Sequence, residues 1–395
     1  MKSKTVFFSI FFLICLPLVA QSATIERVYE VTQPVASQQS DIRNAAFQQG
    51  LIEVAVRVSG NSLTPTQLNL NQAGRLVRQY RYQQMEQAEI DAFMKQNNTL
   101  VEPKYKLWVQ FDDGKIKQLL KDNGLPIWGY QRPNVLVWLA VKDGKNRYLL
   151  KQSDNSQIKD AVADEARRRG LPIMWPNYDA ADKKQLSFID VWGQFWEPVK
   201  QASKRYGVNA ILLGRMNWSR GSWQVDWSLQ LEDKTENWQL TALDLKLLMS
   251  SGVGVATDHI SSRFAVFADN LNDAEFLLRI RNLGSVKQYA AATHYLASLA
   301  PVKNIYATDV RKDYIDFHVE LSGDENDLKR IIALGKVLLP DNTPLYPVTN
   351  PAETNDQEGA PGEASGATAT DQSSDQPIEP ANIPRPNVLQ YRLNG

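Results

Sequence analysis

Cysteine is nearly absent from this chain of 395 residues: Cys15, its one cysteine, lies inside an apolar run near the N-terminus. If that run is removed on export, the remaining chain has no thiol. Disulfides, thiol catalysis and zinc–thiolate sites are then excluded. The protein must hold together through its hydrophobic core, and about 370 residues are enough for two or three domains.

Net charge is also absent, with 44 basic and 44 acidic residues. Seven acidic and two basic residues lie from residue 350 onward, so the body of the chain is slightly positive. Such a balance does not indicate nucleic acid or an anionic membrane surface as a partner.

Residues that could hold a metal are scarce. The three histidines, His259, His294 and His318, lie far apart in the sequence and lack the close pairing of a metal-binding helix. His318 alternates with apolar residues, which predicts the polar face of a strand. We expect no metal and no cofactor.

Motifs of nucleophilic or nucleotide chemistry are missing or incomplete. Ser153-Asp154-Asn155 and Ser156-Gln157-Ile158-Lys159 resemble two motifs of penicillin-binding proteins, but here they adjoin and the Lys-Thr-Gly motif is missing. Helix capping is the better interpretation. Gly252-Val253-Gly254 has no phosphate-binding lysine and predicts a loop before a helix.

A long apolar run occurs only at the N-terminus. Lys2 and Lys4 precede the run from Val6 to Ala20, and Ala20-Gln21-Ser22-Ala23 offers small residues to a signal peptidase. The run has fewer residues than a membrane-spanning helix needs, which is about 20. Cys15 lies within the run, which disfavours a lipoprotein. We predict a signal peptide over residues 1–23, a periplasmic location and no membrane span after cleavage; an uncleaved anchor is the alternative.

The first module is predicted at residues 24–130 as a small α+β unit. Its apolar spacing indicates a strand at Val28–Val31, a helix capped by Ser40 and closed at Gly60, and a second helical stretch through Leu76, Val77, Tyr80, Ile90 and Phe93. A strand at 105–111 and a short helix at 116–121 follow.

The second module is predicted at residues 131–236 as an α/β layer with a partly parallel sheet. Val135–Val141 is an almost continuous apolar run, which is typical of a strand buried on both faces. The order βαβαββ follows. Arg167-Arg168-Arg169 before Gly170 predicts a helix C-terminus rather than an anion site.

The third module is predicted at residues 237–349. It begins with a strand at Trp238–Ala242 and a helix, and continues as the βαββα order of a ferredoxin-like unit.

The C-terminal segment changes composition twice. Residues 350–386 contain almost no apolar side chain, which predicts a disordered acidic linker. At residues 387–395 apolar side chains return as Val388, Leu389, Tyr391 and Leu393. We predict that this terminus docks as a strand on a sheet edge, of its own chain or of another.

Two further groups of residues are candidates for contact with a ligand or a partner. Asp179 and Asp182 lie beyond a predicted sheet strand, where α/β sheets bind ligands; capping of the next helix is the alternative. Trp218, Trp223 and Trp227 lie on one predicted hairpin and could bind a glycan, although Trp223 and Trp227 alternate in phase with core residues.

Several sequence blocks carry a resemblance to a known family. In chain order these blocks are Arg132–Trp138, Arg168–Ile173, Asp190–Phe195, Ala202–Gly207 and Ile211–Arg215. They resemble the proteobacterial family described as domain of unknown function 2066 (DUF2066). The resemblance implies an exported protein of Gram-negative bacteria and supplies no catalytic residues. In element order the second module also looks like the N-terminal domain of periplasmic TolB.

These observations favour a non-enzymatic adaptor or assembly factor that contacts proteins of the cell envelope. One alternative is a peptidoglycan-binding module, which requires exposed, coplanar tryptophan rings. The other is a hydrolase, which requires Asp179 and Asp182 in one pocket with a third polar group.

Overall fold

The computed structural model describes residues 23–25, 27–97, 99–267, 273–343 and 388–394. Within these ranges the protein is a mixed α+β structure with eleven α-helices and five β-sheets, built as modules in series. The predicted fold class is therefore confirmed. Apart from Ala23, the predicted signal peptide lies outside the described residues, as does the predicted linker at 350–386.

The first module is a three-stranded antiparallel sheet packed against a long helix. Its elements are β1 (Ala23–Thr24), β2 (Glu30–Val35), α1 (Ser40–Ser59), α2 (Ala73–Leu76), β3 (Val77–Gln84), α3 (Gln87–Asn97), β4 (Tyr105–Phe111), α4 (Asp113–Asp122), β5 (Pro126–Ile127) and β6 (Gln131–Arg132). The strand order of the sheet is β2-β4-β3. Helix α1 ends before Gly60, as the glycine predicts. The predicted cap is wrong, because Ser40 is the first helical residue, Gln39 is the N-cap, and no side chain caps the helix.

The predicted second helix is wrong in its first half, because Val77–Gln84 forms strand β3. Tyr80 and Tyr82 pair with residues of β4. Their rings and that of Tyr105 form an edge-to-face series with centroids 6.0 and 5.9 Å apart. This long-range ladder outweighs the local apolar spacing. The predicted helical form is kept by Leu76, at the end of α2, and by α3.

The second module is a six-stranded sheet with helices on both faces. Its elements are β7 (Val135–Asp143), β8 (Asn146–Leu149), α5 (Gln157–Arg169), β9 (Ile173–Met174), α6 (Ala180–Gln185), α7 (Phe188–Trp192), α8 (Trp196–Ser203), β10 (Ala210–Ser219), β11 (Ser222–Leu231), β12 (Lys234–Ala242) and α9 (Leu245–Phe264). Strand β7 is parallel to β9 and β10, and β11 is antiparallel to β10. Every side chain from Val135 to Val141 is buried, as the apolar run predicts.

The boundary expected between residues 236 and 237 falls inside β12. This strand pairs with β11 along nine residues, so the predicted strand at Trp238–Ala242 belongs to the sheet of the second module. Helix α9 packs on α5 and on β11, which places it with the second module as well. The period-two pattern identifies β12 as a strand but does not identify the neighbour that it pairs with.

The third module is a ferredoxin-like unit with two additional strands, Val266–Phe267 and Val388–Leu393. Its elements are β13 (Val266–Phe267), β14 (Asp273–Arg281), α10 (Val286–Ala297), β15 (Val302–Val310), β16 (Tyr314–Ser322), α11 (Glu325–Leu334), β17 (Leu338–Pro340) and β18 (Val388–Leu393). The strand order is β15-β16-β14-β18-β17. The second and third modules share one hydrophobic core, whereas the first module has its own.

None of the helices in the described ranges combines the length and the apolar character needed to cross a membrane.

Candidate functional site

The predicted carboxylate pair lies at the start of α6, after β9. Asp179 is the N-cap: its Oδ1 accepts hydrogen bonds from the backbone N–H groups of Ala181, at 3.0 Å, and Asp182, at 3.2 Å. The Asp182 side chain is fully buried, whereas Asp179 is exposed.

Both carboxylates converge on Arg205. Its Nη1 donates to Asp179 Oδ1 at 2.7 Å and to Asp182 Oδ1 at 3.1 Å, and the Tyr206 hydroxyl donates to Asp182 Oδ2 at 2.6 Å. Hydrogen bonding by Arg205 lowers the pKa of Asp179 to about 2. A general acid needs a proton at working pH, and Asp179 is held ionised. The pair therefore fixes α6 to the end of α8 and does not favour the hydrolase alternative.

The three tryptophans of the β10–β11 hairpin do not form a parallel platform. The Trp218 side chain is 46% exposed, Trp223 is half-buried, and their rings meet edge to face at 70°. Trp227 is buried in the core beneath α9. The coplanar, exposed rings that the glycan alternative requires are not present on this hairpin.

The C-terminal residues Val388, Leu389, Tyr391 and Leu393 form strand β18. This strand lies between β14 and β17 of its own chain, parallel to β14 and antiparallel to β17. The Leu389, Tyr391 and Leu393 side chains are buried in the shared core. The predicted docking strand is thus present, and the structure decides that it docks in cis and inside the sheet rather than on its edge.

A buried arginine, Arg132, joins the first two modules, and its position in the sequence does not predict this role. Arg132 donates all five of its N–H groups to carbonyl oxygens, at 2.8 to 3.1 Å, on Arg57, Trp128, Gly129, Arg169 and Gly170. These carbonyls include those at the C-terminal ends of α1 and α5, where the helix dipoles attract a cation.

The environment of Arg132 is consistent with a structural role. Its guanidinium stacks on the Trp128 ring, 4.0 Å from the centroid. Burial, and then repulsion from Arg57, lower the pKa of Arg132 to about 9, so the group is still charged at neutral pH. All its donors are used within the chain, which leaves none for a ligand. The Arg167–Gly170 motif ends α5 as predicted, with Gly170 at φ 65°.

An apolar ridge on the surface of the second module was also missed. It consists of Phe188, Ile189, Trp192, Phe195 and Trp196, on α7, on the turn that follows it and at the start of α8. Ile189 is 69% exposed and Phe195 is 53% exposed. The rings of Phe188 and Trp192 stack with centroids 5.6 Å apart. Only the fold shows which of these side chains stay outside the core.

The turn that carries the ridge is fixed by polar contacts with the sheet. Gln194 has φ 55°, and its side-chain nitrogen donates to the Asp226 carbonyl at 3.4 Å. Arg215 donates to the Trp192 carbonyl at 3.3 Å and pairs with the Asp226 carboxylate at 2.8 Å. The exposed apolar side chains are therefore held on a pre-ordered element.

The remaining motif residues cap a helix or pack inside one. Ser156 caps α5, as expected, by accepting a hydrogen bond from the Lys159 N–H at 3.3 Å. The interpretation of Gly252 and Gly254 as a loop before a helix is wrong, because both lie inside α9. Gly252 is required there by the Trp227 indole, which would lie 2.2 Å from an added Cβ.

The histidines are dispersed in the fold. His259 lies in α9 beside the Trp238 ring, and His318 lies on β16 beside the Tyr306 ring. Across the ranges that the structure describes, no three residues of the types His, Cys, Asp and Glu are grouped so that they could hold a metal ion.

Comparison with known families corrects the resemblance drawn from the sequence blocks. Residues 22–129, which correspond to the first module, match the model of a family described as "Domain of unknown function (DUF8605)". This is a different family, and no match to DUF2066 is found, so that assignment is wrong.

No curated protein matches the chain. No solved structure matches it either. The layout shared with the N-terminal domain of TolB therefore stays a prediction.

Proposed function

We propose that this protein is a non-enzymatic adaptor or assembly factor of the Gram-negative cell envelope, which works in the periplasm after removal of a signal peptide. It binds protein partners through exposed surfaces of its modules. The observation that carries this proposal is the apolar ridge on a fixed turn of the second module.

The exposure of the ridge supports a docking role. Two large side chains, Ile189 and Phe195, extend into solvent beside three half-buried aromatic rings. Contiguous apolar surface of this kind marks protein interaction sites more often than isolated apolar residues do. A few residues carry most of the binding energy of an interface, and tryptophan is enriched among them.

The chemistry of the other candidate groups gives no support to an enzyme. Asp179 and Asp182 both form ion pairs with Arg205, and all five N–H donors of Arg132 are used by main-chain carbonyls. A cleft of about 650 Å³ between the first module and α5 contains charged residues, but these form ion pairs among themselves, such as Arg57 with Glu53 and Arg167 with Asp164.

In-cell photo-crosslinking tests the proposal. A photoreactive residue at Glu197, beside the ridge, should capture a defined envelope protein. Ile189→Asp and Phe195→Asp should each lower that yield about tenfold or more, because an apolar side chain buried at an interface contributes about 1.5–3 kcal/mol.

Val286→Asp is the matched control. Val286 is 84% exposed on α10, away from the ridge, and its substitution should leave the yield unchanged. Equal yields from the ridge variants and the control would contradict docking at the ridge. Turnover of a small molecule by the purified chain would contradict the non-enzymatic assignment.

A further inference from the structure

The fourth strand position of the ferredoxin-like unit is occupied in an unusual way. After β14, α10, β15, β16 and α11, the next strand in the chain is β17. Strand β18 is parallel to β14 and antiparallel to β17, so β17 runs antiparallel to β14. This direction would allow β17 to pair directly with β14. In the structure β18 separates them, so the slot between β14 and β17 is filled by a strand added from the far end of the chain.

Main-chain and apolar contacts both hold β18 in this slot. It pairs with β14 from Leu277↔Val388 to Arg281↔Arg392 and with β17 from Leu338↔Leu393 to Pro340↔Tyr391. Further backbone bonds join Asp341 N–H to the Gln390 carbonyl at 3.0 Å and Asn394 N–H to the Val337 carbonyl at 2.9 Å. Alternate side chains enter the core. This combination is how sheets bind peptide strands.

The covalent connection to β18 is long. Residues 341–387, 47 in number, separate β17 from β18, although Pro340 and Tyr391 are direct register partners. A hairpin needs only two to five residues at such a position. A connection of this length can extend to at most about 160 Å, so it can reach a neighbouring molecule.

We propose that the β14–β17 slot is an exchangeable strand site, and that its second occupant is β18 of another copy of this chain. A strand from a second copy makes the same contacts as the strand in cis, since the sequence is identical. Strand β17 also has a direction that permits it to pair with β14 when the slot is empty. This proposal depends on the sheet alone, so it stands or falls independently of the ridge.

The population of the exchanged form follows from tether length. A short flexible tether gives an effective concentration on the order of millimolar, which falls roughly as the −3/2 power of tether length. Because the connection to β18 has 47 residues, exchange between copies is expected to become substantial below about 1 mM protein, or where copies are held close together. Deleting residues 350–380 should favour the cis strand about fivefold.

Engineered cysteines test the proposal in full-length chains in which Cys15→Ser has removed the native thiol. Leu339 and Arg392 are register partners, and Arg392 is exposed. A chain with Leu339→Cys is mixed with a chain with Arg392→Cys under mild oxidation. A disulfide between the two chains forms at high yield only if β18 of one chain lies in the slot of the other. The control partner carries Lys287→Cys, an exposed position on α10.

We expect the 339–392 interchain disulfide to increase with protein concentration and to exceed the 339–287 control. The deletion of residues 350–380 should reduce its yield about fivefold. As a second readout that does not depend on disulfide geometry, two differently tagged chains should co-purify, and Leu389→Asp in both should abolish this.

Two outcomes would overturn the exchange. One is a 339–392 yield equal to the control at about 1 mM protein, which exceeds the effective concentration expected for a connection of 47 residues. The other is co-purification that survives Leu389→Asp in both chains, which would place the contact elsewhere.

Discussion

The guanidinium of Arg132 donates to the main-chain carbonyl of Arg57 at 2.8 Å, so a side chain at the end of the first module holds the last turn of α1. The same group binds the carbonyls of Arg169 and Gly170 at the end of α5. One cation therefore fixes two helix C-termini and the strand that leads into the second module. Other contacts join the modules as well, among them Arg57 Nε donating to the Arg168 carbonyl at 3.1 Å and Arg169 Nη2 donating to the Gly60 carbonyl at 2.8 Å.

Replacement of Arg132 should destabilise the protein severely. Arg132→Met removes five hydrogen bonds and leaves buried carbonyls unpaired, at about 1–3 kcal/mol for each unsatisfied group. We expect a loss of at least about 3 kcal/mol in the free energy of unfolding, measured by urea denaturation. Arg132→Lys keeps the charge but offers three donors, so it should also be destabilising.

Arg167→Met is the control for Arg132. Arg167 is exposed near the same end of α5 and pairs with Asp164 at 3.1 Å. Its replacement should change stability by less than about 0.5 kcal/mol. Equal effects of the substitutions at Arg132 and Arg167 would contradict the joining role.

Two glycines in α9 should respond to alanine in opposite directions. At Gly252 an added Cβ would lie 2.2 Å from the Trp227 indole nitrogen, so Gly252→Ala should destabilise by about 1–3 kcal/mol through overpacking. At Gly254 the nearest atoms lie at 3.6 Å, and Gly254→Ala should stabilise by about 0.5–1 kcal/mol through helix propensity. Thermal unfolding of both variants measures the difference; the same sign for both would refute the packing argument.

The ionisation of Asp179 should report its contact with Arg205. The pKa of Asp179 is lowered from 3.8 to about 2 by hydrogen bonding to Arg205. Because the folded-state pKa is below the unfolded one, this carboxylate stabilises the fold above about pH 4, and that contribution is lost as the pH falls toward 2. NMR titration of the side-chain carbonyl should give a midpoint near 2, and Arg205→Gln should raise it. An unchanged midpoint in that variant would mean that Arg205 is not the cause.

Export should depend on the apolar run at the N-terminus. Leu13→Arg places a charge in the middle of the run and should retain the full-length chain in the cytoplasm, whereas Lys2→Arg keeps the positive start and should have no effect. Cell fractionation with intact-mass measurement tests both. A full-length chain in the membrane fraction would indicate the uncleaved anchor instead.

Local chemistry was sufficient to predict several elements of the fold. The apolar run at Val135–Val141 predicted a fully buried strand, because only such a strand needs apolar side chains on both faces. Arg169 before Gly170 predicted the end of α5, since cations and a left-handed glycine satisfy a helix C-terminus. The apolar residues after 387 predicted a docking strand, because a wholly polar tail would have nothing to bury.

Tertiary contacts decided the rest. Tyr80 follows a helical spacing and yet lies in a strand, because pairing with β4 contributes more than local preference does. Arg132 is one basic residue among 44 in the sequence, and only the approach of α1 and α5 gives it five carbonyl partners.

The sequence by itself determined the mixed α+β fold class and the presence of a C-terminal strand. Only the fold decided that Ile189 and Phe195 stay in solvent and that β18 lies between β14 and β17. Hydrophobic periodicity shows which face of an element is buried but not which neighbour covers that face, and the neighbour is chosen by contacts between residues far apart in the chain.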